Sequence, residues 1–243
     1  MIISHRKRFV VFAPWKTASS TMHRRLEQYN ESRYSRFYYF NAYLQRVVHQ
    51  HVTCAEFASF PESRSGYFLA SFVRNPYDRV YSGFLQLKKD IQQQPLALFP
   101  ERWIKDLVMK QLADNFAQLS SAGYDFDQWL DLVQEHQIYE VGRNTSFPLH
   151  PSHYWTHFAG NQMVDFIGRV ENFEVDFERL CSIIDVACGE KINVNVANEI
   201  FERENKLNRY KYVHKMSDAS IQKINQLFKT DFDIYGYEAL SVS

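Results

Sequence analysis

The sequence predicts an α/β fold in which helices flank a central parallel sheet. Short apolar runs near 8–13, 67–73 and 164–170 have the length of buried strands, and each is followed by apolar residues at helical spacing. Strands that alternate with helices imply right-handed crossovers and a mainly parallel sheet that is covered on both faces. At 243 residues the chain can form one large core, so 1–243 is predicted to be a single domain.

The N-terminal part of the chain begins with the strand near 8–13. A helix is predicted over Ser19–Leu26, where the first hydroxyls can cap exposed backbone N–H groups. Arg36–Phe40 is predicted to be a second strand. The third strand, near 67–73, leads through a polar loop into a helix over about Tyr77–Lys89.

The remainder of the chain is predicted to be mainly helical. Apolar residues keep helical spacing in two stretches, which indicates a helical insertion at roughly 100–135. Val164–Val170 is the fourth predicted strand, and apolar residues from Phe173 onward mark a helix after it. A last helix is predicted to begin after Ser217, a candidate N-cap residue.

Composition and charge exclude several classes of function. Lys plus Arg and Asp plus Glu number 28 each, so no overall field attracts nucleic acid or an anionic membrane. Cys54, Cys181 and Cys188 form no CxxC pair, which favours reduced thiols. The apolar run that ends at Pro14 is too short for a signal peptide or a membrane span. We therefore predict a cytoplasmic protein with no membrane span and no nucleic-acid partner.

The first strand is followed by a loop, residues 13–21, that carries the parts of an anion site. The chain lacks the Walker A pattern, but it places a lysine and a hydroxyl-rich turn where a strand leads into a helix. Lys16 can put a point charge beside an oxygen that becomes negative as a bond breaks. The alternative is a capped helix with a solvated lysine. The candidate binding residues are Lys16, Thr17, Ala18, Ser19, Ser20 and Thr21.

A second polar loop follows the third strand and holds Arg74, with Ser82 eight residues further on. Arg74 at the strand end and Ser82 in the second helical turn can reach one phosphate, which the arginine binds bidentately. The alternative is a structural ion pair from Arg74 or Arg79 to Asp78, and Arg79 is the better candidate for a structural role. Two anion loops predict a ligand with two separate anionic groups, such as a nucleotide with phosphate at both ends.

Together the two loops resemble those of the sulfotransferase superfamily, whose donor is 3′-phosphoadenosine 5′-phosphosulfate (PAPS). In that family the first loop, often Pro-Lys-Thr-x-Ser-Thr, holds the 5′-phosphosulfate, and an Arg with a Ser eight residues on holds the 3′-phosphate. The resemblance gives these roles to Lys16–Thr21 and to Arg74 and Ser82. Phe166–Phe173 is similar to a strand-to-helix signature of carbohydrate members, and Asp231–Tyr237 to a C-terminal family motif. The resemblance implies a P-loop-like sulfotransferase fold and no requirement for a metal.

Within the superfamily, the segment His-Gln-His at His49 to His51 is most similar to uronyl 2-O-sulfotransferases of heparan and dermatan type. This similarity implies that His51 is the catalytic base, that His49 assists, and that Lys16 stabilises the departing 3′,5′-adenosine bisphosphate. The implied reaction is in-line sulfuryl transfer to a hydroxyl of a carbohydrate or another hydroxyl-bearing acceptor. A basic family segment before the last helix implies Lys211 and Lys215 as further phosphate contacts, with a solvated helix end as the alternative.

Other functions stay open at this point. A degenerate relative could bind a nucleotide or a glycan without turnover. A zinc hydrolase would use the histidines at 150, 153 and 157. His153 and His157 are spaced to share one helix face and could bind zinc together with His49 or His51, although no HExxH motif is present. A nucleoside or sugar kinase on the same sheet would require the Walker A loop that the chain lacks.

Overall fold

The structure is a computed structural model, and it describes residues 1–32, 38–41, 46–93, 113, 115–135, 149–191 and 210–242. The chain divides into two compact units. The first consists of Met1–Arg74 and Ser152–Asn205, and the second of Asn75–Pro151 and Lys206–Ser243. The single domain expected from the sequence stays a prediction, and each unit is described by itself.

The bounds of the strands and helices are as follows. The strands are β1 (Ile2–Ser4), β2 (Phe9–Val11), β3 (Tyr38–Asn41), β4 (Arg46–His49), β5 (Phe68–Val73), β6 (His157–Phe158), β7 (Asn161–Gln162) and β8 (Phe166–Arg169). The α-helices are α1 (Ser19–Arg25), α2 (Cys54–Phe57), α3 (Pro76–Gln93), α4 (Phe126–Glu135), α5 (Phe173–Ile183), α6 (Asp218–Leu227) and α7 (Lys229–Tyr235). Residues 115–121 are also helical. None of the helices in the described part of the chain is both long and apolar enough to cross a bilayer.

The first unit is built on a four-stranded sheet in the order β1-β2-β5-β8. β2, β5 and β8 are parallel, with Val11 opposite Ala70 and Ala70 opposite Phe166, whereas β1 is antiparallel at the edge. This arrangement confirms the predicted central sheet of mostly parallel strands. β1 was not predicted, because it is a strand of three residues that only its pairing with β2 defines.

The predicted second strand, Arg36–Phe40, is only partly correct. Tyr38–Asn41 is a strand, but it pairs antiparallel with β4 in a separate two-stranded sheet instead of extending the parallel one. The residues at 36 and 37 lie outside the described residues. The strand pairs with a partner close to it in sequence, and a single strand-like pattern does not reveal which partner that is.

Apolar side chains cover both faces of the central sheet. On one face, Met22 of α1 and Phe177 of α5 pack against Val11 and Phe72 of the sheet. On the other face, α2 and the 3₁₀ turn Ser152–Trp155 contribute a cluster around Val10. Successive side chains of a strand point to opposite faces of its sheet, so Val10 of β2 packs on one face and Val11 on the other.

Gly168 explains part of the strand-to-helix signature noted in the sequence. A Cβ atom built on Gly168 would lie 2.4 Å from the ring of Phe72, so only glycine fits beside this ring. Immediately after it, the backbone N–H of Arg169 donates to Asp176 at 2.7 Å. The signature therefore serves to join β8 to α5 in the first unit.

The second unit is helical in its described residues. α3 is longer than the predicted helix over Tyr77–Lys89, and α4 confirms the second inserted helix. Of the first of these two predicted helices, residues 101–112 lie outside the described residues, and the insertion at 100–135 stays a prediction. Ser217 caps α6 as predicted, because its side chain accepts the backbone N–H of Ser220.

Candidate active site

The loop at residues 13–21 and the loop that begins at Arg74 leave the same edge of the sheet. β2 and β5 are parallel neighbours, and the backbone N–H of Phe12 donates to the carbonyl of Ala70 at 2.8 Å. Ligands of parallel sheets bind beyond the carboxyl ends of the strands. The first anion loop and Arg74 therefore lie where the fold class places a ligand site.

The first loop has an unusual backbone. Lys16 and Ala18 both adopt left-handed conformations, with φ of 63° and 61°, a region that non-glycine residues rarely occupy. The hydroxyl of Thr17, which is fully buried between them, donates to the carbonyl of Pro14 at 2.9 Å and closes the turn. Backbone strain of this kind clusters at ligand sites, where the surrounding structure maintains it.

The helix after the loop is not capped as predicted. Its N-cap is Ala18, in the left-handed conformation and without a side-chain hydrogen bond, so the expected capping by Ser19 or Ser20 is wrong. The loop turns sharply enough that the serines already lie inside the helix. Ser20 is exposed, while Ser19 and Thr21 are each 9% exposed.

Replacing Ala18 by glycine tests the strain in this loop. Because glycine adopts a positive φ without a Cβ clash, we expect Ala18→Gly to leave the free energy of unfolding unchanged or to raise it by about 1 kcal/mol. The matched control is Ala58→Gly, since Ala58 has φ −56° and ψ −23° at the end of α2. There glycine should lower stability by about 0.5–1 kcal/mol. Urea unfolding measures both, and equal losses would contradict the left-handed assignment.

His51 is held at the start of the same loop. Its Nδ1 donates to the carbonyl of Ala13, and its own carbonyl accepts the indole N–H of Trp155 at 3.0 Å. The side chain is 4% exposed. With the proton on Nδ1, the lone pair of the neutral ring is on Nε2, which can accept a proton. Burial lowers the pKa of His51 to about 3, and Lys16 adds to this effect, whereas the bond to Ala13 opposes it.

A second imidazole, missed by the sequence analysis, lies in the α1 helix. His23 is half-buried, and its Nε2 has no hydrogen-bond partner and no contact with solvent. Burial lowers the pKa of His23 to about 3, with further contributions from the amino group of Met1 and from His51. A lone histidine in a helix carries no pattern that would have marked it.

Arg74 reaches back to the first loop. Its guanidinium donates to the carbonyl of Lys16 at 3.4 Å, and the residue is half-buried. The first unit therefore brings together three of the predicted residues, Lys16, His51 and Arg74, around one strained loop. The side chain of His49 lies outside what the structure describes, although its backbone ends β4.

The second unit carries the other predicted residues. Ser82 is half-buried in α3, Lys211 is half-buried, and Lys215 is exposed at the end of a 3₁₀ turn. The carboxylate of Asp78 accepts the backbone N–H groups of Lys211 at 3.0 Å and Tyr212 at 2.9 Å. The sequence offered one signal for this contact, an acidic residue in the first turn of a helix.

Arg79 agrees with the structural role expected of it, but not with the expected partner. It is 1% exposed, donates to the carbonyl of His150 at 2.6 Å and lies 3.9 Å from the carboxylate of Asp231. Its ring contact is with Phe228, 5.1 Å from the guanidinium carbon. Arg79 thus ties the C-terminal motif to α3 within the second unit.

The expected pairing of His153 and His157 is wrong. His153 lies in a 3₁₀ turn and His157 in β6, so the two do not share a helix face. Throughout the described part of the chain, no three His, Cys, Asp or Glu side chains are grouped as a metal ion requires.

Comparison with known proteins agrees with this geometry. A model of the sulfotransferase family matches residues 1–238. The chain belongs to the sulfotransferase family. No curated protein and no solved structure gives a significant match. The match covers the first loop, Arg74, Ser82 and the C-terminal helices, and it supports transfer of a sulfuryl group as the general reaction of this sulfotransferase.

Proposed function

We propose that this sulfotransferase transfers a sulfuryl group from PAPS to a hydroxyl of a carbohydrate acceptor, with His51 as the general base. One observation carries the proposal. The strained loop at 13–21 is contacted at its start by His51 and at Lys16 by Arg74. A candidate base, a candidate leaving-group cation and a candidate phosphate-binding arginine therefore meet at one loop, which a capped helix with a solvated lysine does not require.

The residues present fit a nucleotide with anionic groups. Lys16 and Arg74 supply positive charge in the first unit, and Ser82, Lys211 and Lys215 supply donors and charge in the second. We assign the 5′-phosphosulfate to the Lys16 loop and a contact with the 3′-phosphate to Arg74, and the family pattern gives the latter role to Ser82 as well. The donor, when bound, supplies the sulfuryl group and leaves as 3′,5′-adenosine bisphosphate. These cations neutralise charge without a metal ion.

His51 is suited to accept the acceptor's proton. Because Nδ1 donates to Ala13, the ring is fixed in orientation and Nε2 carries the lone pair. A pKa of about 3 keeps the ring neutral near pH 7 but also makes it a weak base. An anionic nucleotide beside the loop favours the protonated ring and raises this pKa toward the range in which a general base is effective. His49 is proposed to assist.

A carbohydrate acceptor is supported by exposed aromatic side chains in the first unit. The bond from Trp155 to the His51 carbonyl anchors the 3₁₀ turn that precedes the β6–β7 hairpin. Tyr154 in that turn and Phe158 in β6 are 37% and 45% exposed. Both rings are close in sequence to Trp155, which bonds to the candidate base His51, and exposed aromatic rings can stack on the apolar face of a sugar. A uronyl acceptor, and 2-O transfer to it, is the finer form of this proposal.

The experiment is calorimetric titration of wild type and Arg74→Ala with 3′,5′-adenosine bisphosphate. We expect wild type to bind, and Arg74→Ala to bind at least about tenfold more weakly because a charge-assisted, bidentate contact is lost. Arg64→Ala is the matched control, since Arg64 is an exposed arginine at the end of a 3₁₀ turn. It should bind as wild type does.

The outcomes separate the candidate functions. Failure of wild type to bind the bisphosphate would contradict the proposal outright. Binding without transfer from PAPS to any of a panel of uronyl, hexosyl and phenolic acceptors would favour a non-catalytic relative. Transfer to phenols alone would contradict the carbohydrate acceptor while leaving sulfuryl transfer intact.

A further inference from the structure

Within the second unit, α3 is in contact with the basic segment at 210–215, which is distant from it in the chain. Asp78 is 6% exposed, and both of its carboxylate oxygens accept backbone N–H groups from the distant segment, at 3.0 Å from Lys211 and 2.9 Å from Tyr212. The two residues are separated from Asp78 by more than a hundred positions in the chain. A buried carboxylate with two N–H donors fixes the backbone that supplies them.

Asp78 is itself held firmly at the start of α3. Asn75 precedes the helix, and its side-chain oxygen accepts the N–H groups of Tyr77 at 3.0 Å and Asp78 at 3.4 Å. This is the geometry of an N-cap, which sets the first turn. A negative charge in that turn is also favoured by the helix dipole.

Aromatic contacts align the segment with the same helix. Tyr212 stacks on Tyr81, with ring centroids 5.0 Å apart and planes inclined by 22°, and Tyr210 packs on Tyr77 at 5.5 Å. Asp78 and Ser82 are four residues apart, so they share one face of α3. The Nζ of Lys211 lies 5.1 Å from the centroid of the Tyr212 ring. The segment is therefore bound along the part of α3 that carries Ser82.

We propose that Asp78 is a positioning residue of the donor site, which clamps the backbone of Lys211 and Tyr212 and so sets Lys211 on the Ser82 side of α3 to contact a phosphate of the nucleotide. This inference rests on the proposed function. Asp78 does not touch the nucleotide. A free carboxylate at this place would repel an anion. Both oxygens of Asp78 instead accept backbone N–H groups, which stabilise its negative charge.

The test is a double-mutant cycle in nucleotide binding, with Asp78→Asn, Lys211→Ala and the double variant titrated with 3′,5′-adenosine bisphosphate. The oxygen of the Asn side chain can still accept one of the two N–H groups, but its NH₂ group is a donor and cannot accept the other. One of the two bonds of the clamp is therefore lost. Each single variant should bind about tenfold more weakly than wild type, and the double variant no more than about twofold more weakly than Lys211→Ala. Asp218→Asn, which removes an exposed charge from the first turn of α6, should leave affinity unchanged.

Such non-additivity distinguishes positioning from a general loss of structure, which would weaken binding in the Lys211→Ala background as well. If wild type binds and Asp78→Asn binds equally well, or if the two losses multiply, the inference is wrong while the proposed function stands. If wild type does not bind, the proposed function fails and this role of Asp78 fails with it.

Amide hydrogen exchange on wild type tests the clamp without a variant, should Asp78→Asn fail to fold. The N–H groups of Lys211 and Tyr212 should exchange at least about tenfold more slowly than the unprotected rate. Exchange at the unprotected rate would overturn the inference.

Discussion

His51→Asn should lose transfer activity while it keeps nucleotide binding. The side-chain amide of Asn can take the position of Nδ1 and still donate to the carbonyl of Ala13, but it has no lone pair at the position of Nε2. We therefore expect kcat to fall by about 10²–10⁴-fold, the contribution typical of a general base, with little change in the Kd of 3′,5′-adenosine bisphosphate. Steady-state kinetics with PAPS and calorimetry measure the two quantities.

His51→Ala is the companion variant, because it removes both the base and the bond to Ala13. If His51 acts as a base, Asn and Ala should lose kcat to a similar extent. If His51→Asn retains activity and His51→Ala does not, the histidine acts only by holding the loop through its bond to Ala13, and the assignment of the base is wrong. Exposed His5, in the turn between β1 and β2, gives the control His5→Asn, which should retain full kcat.

Acid should destabilise the protein steeply, from about pH 6.5 downward. Burial lowers the pKa of His51 and His23 to about 3 and that of His150 to about 4, below the ordinary value of 6.5. Above pH 6.5 these rings are neutral in the folded and unfolded chain alike, so they add no pH dependence. Between 6.5 and the folded pKa, the unfolded chain binds protons that the folded chain does not, and stability falls.

Each such histidine contributes a slope of up to about 1.4 kcal/mol per pH unit to the free energy of unfolding. Urea unfolding at steps of about half a pH unit between about pH 7.5 and 4.5 measures the total. His51→Asn should reduce the slope by about one proton's share, whatever its stability at neutral pH. A flat profile from pH 7 to 5 would contradict the buried, neutral histidines.

Local patterns were enough to predict much of the fold. β2, β5 and β8 are apolar runs of strand length, and Ser217 is a recognisable cap, because both signals depend only on neighbours in the chain. Tyr38–Asn41 shows the limit of this approach. A strand can be read from its residues, but its partner β4 and its separation from the central sheet depend on pairing.

The candidate site divides in the same way. Lys16 and Arg74 were predicted from residue type and spacing, since a strand that leads through a polar loop into a helix is a local signal. His51 was predicted from the resemblance of its His-Gln-His segment to a family pattern. The left-handed turn at Lys16 and Ala18 was not predicted, because neither residue is a glycine, the residue type that normally indicates a positive φ. The failure of the serines to cap α1 follows from that turn.

The sequence by itself predicted an α/β fold with two candidate anion loops, because residue types at short spacings carry that information, and the resemblance of those loops to the sulfotransferase superfamily implied the reaction and a candidate histidine base. Only the tertiary structure decided what holds those residues. His51 is bonded to Ala13 and Trp155, 38 and 104 positions away, and Asp78 to Lys211, 133 positions away. Such contacts form when folding brings distant backbone groups to buried side chains that must be satisfied, and no local pattern encodes which groups will meet.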